Sequence, residues 1–175
     1  MDEIQAPVIR LLTATDGPAY QALRLQSLQE SPQAFLSTYD AEKNLQEKSF
    51  ANQLDWAYHP PHHGYFGIFM GKELAGYLQI GKSYLEKQNH IVFAYNFYIA
   101  PQYRRQGVAT KLFQYVLNLV AASEQIERVY LTCAATNVPA CNFYKKMGFR
   151  RFSIRAKTIK WQGVYDDEVE MVKVL

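Results

Sequence analysis

Apolar positions dominate the segment 91–100 in a way that is typical of a strand covered on both faces. Its sequence is IVFAYNFYIA, and Asn96 is the one plainly polar side chain in it. A strand with one face in water would alternate apolar and polar residues, so the segment predicts a central strand of a sheet. The two expected faces are Ile91, Phe93, Tyr95, Phe97 and Ile99 on one side, and Val92, Ala94, Asn96, Tyr98 and Ala100 on the other.

A helix is predicted soon after this strand. Apolar residues recur at i, i+4, i+7, i+8 and i+11 from Val108, which is the spacing of an amphipathic helix. Pro101 ends the strand, and the loop 102–107 leads into the helix. The predicted apolar stripe consists of Val108, Leu112, Tyr115, Val116 and Leu119.

The rest of the chain adds strands on both sides of this unit. A strand is predicted at 128–134, after which Asn137 caps a short helix with Pro139 in its first turn and Gly148 beyond its end. The other predicted elements are a strand at 7–13, a helix from Asp16 to Ser31, a surface helix over about 40–56, a hairpin at 65–70 and 74–80 after a loop at 59–64, and two strands after 149 with a turn at 161–163. This order predicts an α/β domain of the α+β or mixed-sheet kind.

Composition excludes several classes of protein. The 175 residues are 49% apolar, 20% charged and 14% aromatic, which is unlike a disordered or low-complexity chain. A net charge of +3 with no Lys/Arg run longer than two does not suggest a nucleic-acid surface. No apolar run approaches the roughly 18 residues of a membrane span, and the N-terminus lacks a signal peptide, so a cytoplasmic protein is expected. Cys133 and Cys141 form no disulfide framework, and with the loop histidines His59, His62 and His63 they suggest no metal site.

The loop before the second helix has the chemistry of an anion site. Between Pro101 and Lys111 there are three basic residues and no acidic one. The unpaired N–H groups and the positive end of a helix attract phosphate, and small residues at Gly107 and Ala109 allow close approach. The sequence patterns of P-loops and Rossmann turns are absent.

Two motifs here resemble those of one enzyme family. Arg104 to Ala109, RRQGVA, fits the [RQ]-x-x-G-x-[GA] signature of the GNAT superfamily of acyl-CoA-dependent N-acyltransferases. Asn137 to Phe149, NVPACNFYKKMGF, resembles the second signature of that family, N-x-x-A-x-x-x-Y-x-x-x-G-F, and 164–171 looks like its last strand. Each motif alone is weak, but together and in this order they are specific. The chain thus resembles uncharacterised bacterial acetyltransferases of this superfamily.

The resemblance implies a fold and a cofactor. It implies one N-acetyltransferase domain over 1–175, with a cofactor core at about 91–149 and a mixed sheet of about six or seven strands flanked by about four helices and splayed at its centre. Acetyl-CoA would be the co-substrate, with no metal. Arg104 would stand near the phosphates, Asn137 would contact the pantetheine arm or the thioester, and the main chain of 97–99 would pair with the arm. The implied cofactor-binding residues are Phe97, Tyr98, Ile99, Arg104, Arg105, Gln106, Gly107, Val108, Ala109, Thr110 and Asn137.

The resemblance also assigns the catalytic acid. An amine that attacks a thioester directly expels a thiolate, whose pKa is near that of cysteine, about 8.5. A phenol can donate a proton to it, and the motif places Tyr144 in that role. The expected reaction is direct transfer in a ternary complex.

One position departs from the family pattern. Many members carry Glu or Asp where this chain has Asn96, and that carboxylate takes a proton from the acceptor ammonium. Three interpretations stay open: an acid from another element acts through water, the acceptor has a low pKa, or the protein is a non-catalytic acyl-CoA-binding or sensing module.

The acceptor side is the least defined part of the sequence. Phe35, Tyr39, Tyr95 and Asn96 are the candidates for its walls. The implied partners are a small-molecule or peptide amine and, as is common in the family, a second copy in a homodimer, with no nucleic acid and no membrane.

Overall fold

A seven-stranded sheet forms the centre of the molecule. The computed structural model describes residues 6–56 and 63–175, without the Trp56 side chain. The strands are β1 (Val8–Leu11), β2 (His63–Met70), β3 (Glu73–Lys82), β4 (Ile91–Ile99), β5 (Arg128–Ala134), β6 (Arg150–Trp161) and β7 (Val164–Val174). The helices are α1 (Gly17–Glu30), α2 (Tyr39–Glu42), α3 (Glu47–Trp56), α4 (Val108–Ala121) and α5 (Val138–Lys146). Together they confirm the α/β class and the mixed sheet.

The strand order, β1-β2-β3-β4-β5-β7-β6, places β4 in the middle of the sheet. Every neighbouring pair is antiparallel except β4 and β5, which run parallel. A parallel pair needs a crossover connection, and α4 supplies it. Because α4 begins beyond the C-terminal end of β4, its N-terminus lies at the edge of the sheet where β4 and β5 end.

The packing of α4 confirms the helix and corrects its buried face. Its buried residues are Val108, Leu112, Phe113, Val116, Leu117 and Val120, which pack in one cluster with the sheet. Tyr115 is exposed and Leu119 only half-buried, so the predicted stripe was rotated from the true one. The predicted helical spacing was right. Spacing alone, however, does not show which apolar residues lie at the centre of the buried face and which lie at its border.

The opposite face of the sheet carries a second cluster, rich in tyrosine. Its rings include Tyr20 of α1, Tyr65 of β2 and Tyr77 of β3, with the Tyr20 and Tyr77 centroids 5.3 Å apart. The expectation of one surface helix over 40–56 was wrong, because α2 and α3 are separate and α3 buries Phe50 and Leu54 completely in this cluster. Polar residues lie between Phe50 and Leu54 in the sequence, so the narrow apolar face of α3 was not recognised.

The predicted loop at 59–64 is corrected at its end. His63 and Gly64 belong to β2 and not to a loop, whereas 59–62 lie outside the described residues. Within 6–56 and 63–175, none of the helices has the length and apolar character that crossing a membrane requires.

The burial of Phe50 gives a test of this second cluster. Phe50→Ala is expected to lower the free energy of unfolding by about 3 to 5 kcal/mol, because a fully buried ring is replaced by a cavity. Phe152→Ala is the matched control: its ring is 48% exposed and meets Tyr130 edge-on, a contact that contributes about 0.5 to 1.5 kcal/mol. Urea denaturation of both variants measures the difference, and equal losses would contradict the placement of α3.

Candidate active site

A β-bulge at Asn96 interrupts β4 in the middle of the sheet. Tyr77 of β3 lies opposite Tyr98, but Gln79, two residues on, lies opposite Tyr95, so β4 holds one extra residue between these pairs. Asn96 takes up the irregularity with a φ of 41°, in the left-handed region that asparagine tolerates better than most residues. The bulge therefore lies at the position where the sequence departs from the family pattern.

The bulge also reverses the faces of the strand. Before it, Val92 and Ala94 face the cluster beneath α4; after it, Ile99 and the partly buried Phe97 do so. Tyr98 packs on the opposite face with the tyrosine cluster. The expected grouping of Phe97 and Ile99 with Phe93 and Tyr95 was thus wrong, because an inserted residue shifts a period-two pattern by one.

Beyond the first three residues, β4 and β5 separate. They pair only where Ile91–Phe93 faces Arg128–Tyr130, which confirms the splayed centre of the sheet. The opening is a cavity of about 140 Å³ that is enclosed by the strands β4 and β5 and by the helices α4 and α5. Its lining includes Ala94, Asn96, Phe97, Phe113, Thr132, Cys133, Ala134, Asn137, Ala140, Phe143 and Tyr144.

Main-chain groups of β4 face this opening. The Ala100 N–H donates to Ala75 O on the β3 side at 2.9 Å, so by alternation Tyr98 also bonds towards β3. The main-chain N–H and C=O groups of Phe97 and Ile99 point the other way, into the gap between β4 and β5. The three residues predicted to pair with an extended ligand therefore differ in direction: the main-chain groups of Phe97 and Ile99 face the gap, and those of Tyr98 face β3.

The N-terminus of α4 is an open cradle of main-chain donors. Its first bond runs from Lys111 N–H to Gly107 O at 3.0 Å, and no side chain caps it, so the N–H groups of Val108, Ala109 and Thr110 have no acceptor within the helix. Gly107 has a φ of 76°, and a Cβ built there would meet no atom within 4 Å. The loop before it, Arg105 and Gln106, is exposed. Donors, helix dipole and open space together fit a diphosphate.

Arg104 forms an ion pair with the last residue of α1. Its guanidinium donates to both carboxylate oxygens of Glu30 at 2.7 and 2.9 Å, and its Nε donates to Ile99 O at 2.9 Å. The hydrogen bonds from Arg104 are the main reason why the Glu30 pKa falls to about 2. Arg104 therefore ties the base of the loop to the end of α1, and its place near the phosphates of a cofactor stays a prediction.

Helix α5 carries the two other motif residues of the cavity. Asn137 caps the helix as predicted, since its Oδ1 accepts the Ala140 N–H at 3.3 Å. Tyr144 lines the cavity with its ring against Phe113, Phe143 and Phe149. Burial raises the Tyr144 pKa, and the nearby thiols of Cys133 and Cys141 raise it further, so the phenol stays protonated at neutral pH.

A second opening meets the cavity from the other side of the sheet. This groove, of about 1070 Å³, is lined by Phe35, Tyr95 and Asn96, three of the four predicted acceptor residues. The groove and the cavity meet at the bulge, because both are lined by Ala34, Ala94, Tyr95, Asn96 and Thr132. Tyr39 lines a third cavity of about 550 Å³, between the segment 32–40 and the β6–β7 hairpin, which shares Phe35, Leu36 and Ser37 with the groove.

A buried polar network holds the bulge in place. Arg24, 7% exposed at its side chain, donates to both oxygens of Glu42 at 2.8 and 3.0 Å and to Asn96 Oδ1 at 3.4 Å. Asn96 Nδ2 donates in turn to Gln79 Oε1 at 2.6 Å. Sequence reasoning missed Arg24 and Glu42; the signal was that Arg24 and Ser27 occupy the same helical stripe as Tyr20, Leu23 and Leu28.

The carboxylate in this network is not a free base. Burial alone would raise the Glu42 pKa, but hydrogen bonds from Arg24 and Ser37 lower it on balance. A carboxylate so held is ionised and has its oxygens occupied, and it would give up an ion pair to accept a proton. His63 of the groove wall is no better placed, since its Nε2 accepts the Lys82 N–H at 3.0 Å.

Other polar clusters in the described part of the chain have structural partners. Glu168 is buried and pairs with Arg155, Asp166 accepts a bond from Thr136, and Asp167 accepts one from Lys157 N–H. No group of three or more His, Cys, Asp or Glu residues within 6–56 and 63–175 could hold a metal ion.

Known proteins resemble this chain in sequence and in fold. An N-alpha-acetyltransferase of Sulfurisphaera tokodaii is 36% identical over 40% of each chain. A streptothricin acetyltransferase of Escherichia coli is 31% identical over 61% of this chain and 58% of its own. These matches therefore span about two-fifths to three-fifths of the curated relatives. A putative acetyltransferase of Salmonella typhimurium, solved with its cofactor acetyl-CoA, shares the fold at a TM-score of 0.81, covering 98% of this chain and 95% of its own at 12% identity.

A family model also matches this chain. The model of the Acetyltransferase (GNAT) family matches residues 25–149, which is most of the chain. The matched range includes the bulge, the cradle at α4 and the cavity beside α5. The chain belongs to the GNAT acetyltransferase family.

Proposed function

We propose that this protein transfers an acetyl group from acetyl-CoA to a primary amine, by direct attack in a ternary complex. The observation that carries the proposal is the continuity of the site. The cavity between β4 and β5 lies beside α4, whose Phe113 forms part of its wall, and meets the large groove at Tyr95 and Asn96. A thioester in the cavity would thus face an amine that enters by the groove.

Main-chain groups would bind the cofactor. The amides of residues 105–110 would hold the pyrophosphate, and Phe97 and Ile99 would pair with the pantetheine arm as an added strand. The Ile99 carbonyl already accepts a bond from Arg104, so its N–H is the group left to offer. Acetyl-CoA supplies the activated acetyl group.

Tyr144 would act as the general acid. It lines the cavity on the α5 side, and its raised pKa keeps the phenol protonated. An acid that stays protonated can donate to a leaving thiolate throughout the neutral range.

The amine itself would arrive without help from a carboxylate at the bulge. Asn96 cannot take up a proton, and Glu42 is bound to Arg24. We therefore propose an acceptor whose neutral form is selected from solution. The two curated relatives are named for N-alpha and streptothricin acetylation, which supports an amine acceptor of either peptide or small-molecule type.

The acid role predicts a selective loss of turnover. Tyr144→Phe should lower kcat by about 10²-fold or more, while the Kd for acetyl-CoA changes little, because only the proton donor is removed. Tyr115→Phe, on the exposed side of α4, is the matched control and should leave both unchanged. Steady-state kinetics and calorimetry separate the two effects. A fall in affinity with an unaltered kcat would exclude the acid role.

The cradle predicts an effect of a single methyl group. Gly107→Ala and Gly71→Ala both place alanine at positive φ in open space, so each should cost a similar 1 to 2 kcal/mol, roughly, of stability. Only the Gly107 variant adds a methyl beside the α4 amides, and its Kd for coenzyme A should rise about tenfold. Thermal denaturation and calorimetry test this pair. Equal affinities in the two variants would argue against phosphate binding at α4.

The missing carboxylate predicts a particular pH profile. For a series of amine acceptors, kcat/KM should rise with pH through the pKa of each amine, because the neutral amine is the reactive form. No fall should follow below about pH 10, since the Tyr144 pKa lies above its ordinary value and the acid loses its proton only there. A rising limb at one fixed pH for every amine would reveal an enzyme base and contradict the proposal.

A further inference from the structure

The two cysteines of the chain meet in the wall of the thioester cavity. Cys133 is the penultimate residue of β5 and Cys141 lies in the first turns of α5, and their sulfur atoms are 2.9 Å apart. Non-bonded heavy atoms ordinarily stay about 3.5 Å or more apart, so the two thiols are in direct contact. Both residues are free thiols and half-buried. The Cys133 side chain lines the cavity, whereas Cys141 stands behind it.

The connection between β5 and α5 fixes this contact. Asn137 N–H donates to Ala134 O at 3.0 Å, and Cys141 N–H donates to Asn137 O at 3.1 Å. The Asn137 side chain caps the helix at the same place. The turn that separates the cysteines is therefore hydrogen-bonded at both ends, and the sulfur atoms meet because of this ordered geometry.

Neither thiol has a role in the proposed acetyl transfer. Tyr144 is close enough for both cysteines to raise its pKa, but the proposed transfer involves neither sulfur. Burial, together with the contact to Cys141, raises the Cys133 pKa, so Cys133 is a poor nucleophile towards a thioester. A direct-attack mechanism leaves the pair without a catalytic task.

We propose that Cys133 and Cys141 form a reversible disulfide in the cavity wall, and that this oxidation switches the site off. The raised pKa of Cys133 disfavours its direct reaction with peroxide, so Cys141 is the thiol that hydrogen peroxide converts to a sulfenic acid, with release of one water. The Cys133 thiol, already in contact with that sulfur, then attacks it and loses its proton, which releases a second water. Two thiols and one peroxide thus give one disulfide and two waters. A dithiol reductant restores both thiols by exchange.

The disulfide would act on turnover through α5. A bond of about 2.05 Å requires the sulfur atoms to approach by nearly 1 Å. Cys141 lies on α5 between Asn137 and Tyr144, which line the cavity, so moving α5 against β5 displaces both. Since a misplacement of about 1 Å can cost up to 10²-fold in rate, turnover should fall by about 10- to 100-fold. This consequence, unlike the disulfide itself, rests on the proposed acetyl transfer.

The test treats the full chain with stoichiometric hydrogen peroxide and follows two quantities. Intact mass spectrometry should show the loss of two hydrogen atoms, with one peptide pair linked through Cys133 and Cys141. Acetyl transfer should fall as stated and return with dithiothreitol. Cys141→Ser is the control, because the Cys141 side chain lies outside the cavity lining. This variant should have the turnover of the reduced protein and should not lose turnover on treatment with peroxide.

The two readouts separate the failure of this inference from the failure of the proposed function. Unchanged mass, or a disulfide that leaves turnover unchanged, would overturn the inference. A protein that forms the disulfide but transfers no acetyl group in either state would overturn the switch together with the proposed function. Equal loss of activity in Cys141→Ser would show that oxidation acts elsewhere, and would also overturn the switch.

Discussion

The extra residue at Asn96 is the constraint on which the site depends. A regular β4 would present an unbroken alternation of faces and could continue its pairing with β5 along the sheet. The bulge instead turns Phe97 and Ile99 to the α4 side, and the β4–β5 pairing ends at Phe93 and Tyr130, three residues before it. The cavity, the main-chain groups that face it, and its junction with the large groove all lie at or beyond this point.

The bulge is supported by the neighbouring strand β3 and by the helices α1 and α2. Asparagine tolerates a positive φ, and its amide is held between Gln79 and the Arg24–Glu42 ion pair. Arg24 and Glu42 come from α1 and α2, so this network also connects these two helices to the bulge at the centre of the sheet. Arg104 plays a similar part at the cradle, where it joins the loop to Glu30 of α1. Charged side chains thus hold the main chain in place, while main-chain groups face the cavity and the proposed cofactor site.

The sequence contained enough to predict the elements that lie close together along the chain. The β4–loop–α4 unit and the Asn137 cap follow from local periods and capping residues, and both are confirmed. The reversed faces of β4 could not be predicted, because no sequence pattern around Asn96 indicates a β-bulge. The partners of Arg104 and Arg24 were also out of reach, since Glu30 lies 74 residues before Arg104 and Glu42 belongs to another helix. Such pairings are set by tertiary packing, which a single sequence does not display.

The central claim is that the splayed edge of β4 and the first turn of α4 form one cofactor site. Titration of the isotopically labelled protein with coenzyme A, followed by backbone amide NMR, tests it most directly. The largest shifts should appear at residues 105–111 and at Phe97 and Ile99, with little change in β1 and β2. Shifts that concentrate on the exposed face around Tyr130 and Phe152, and leave the α4 N-terminus unmoved, would contradict the account.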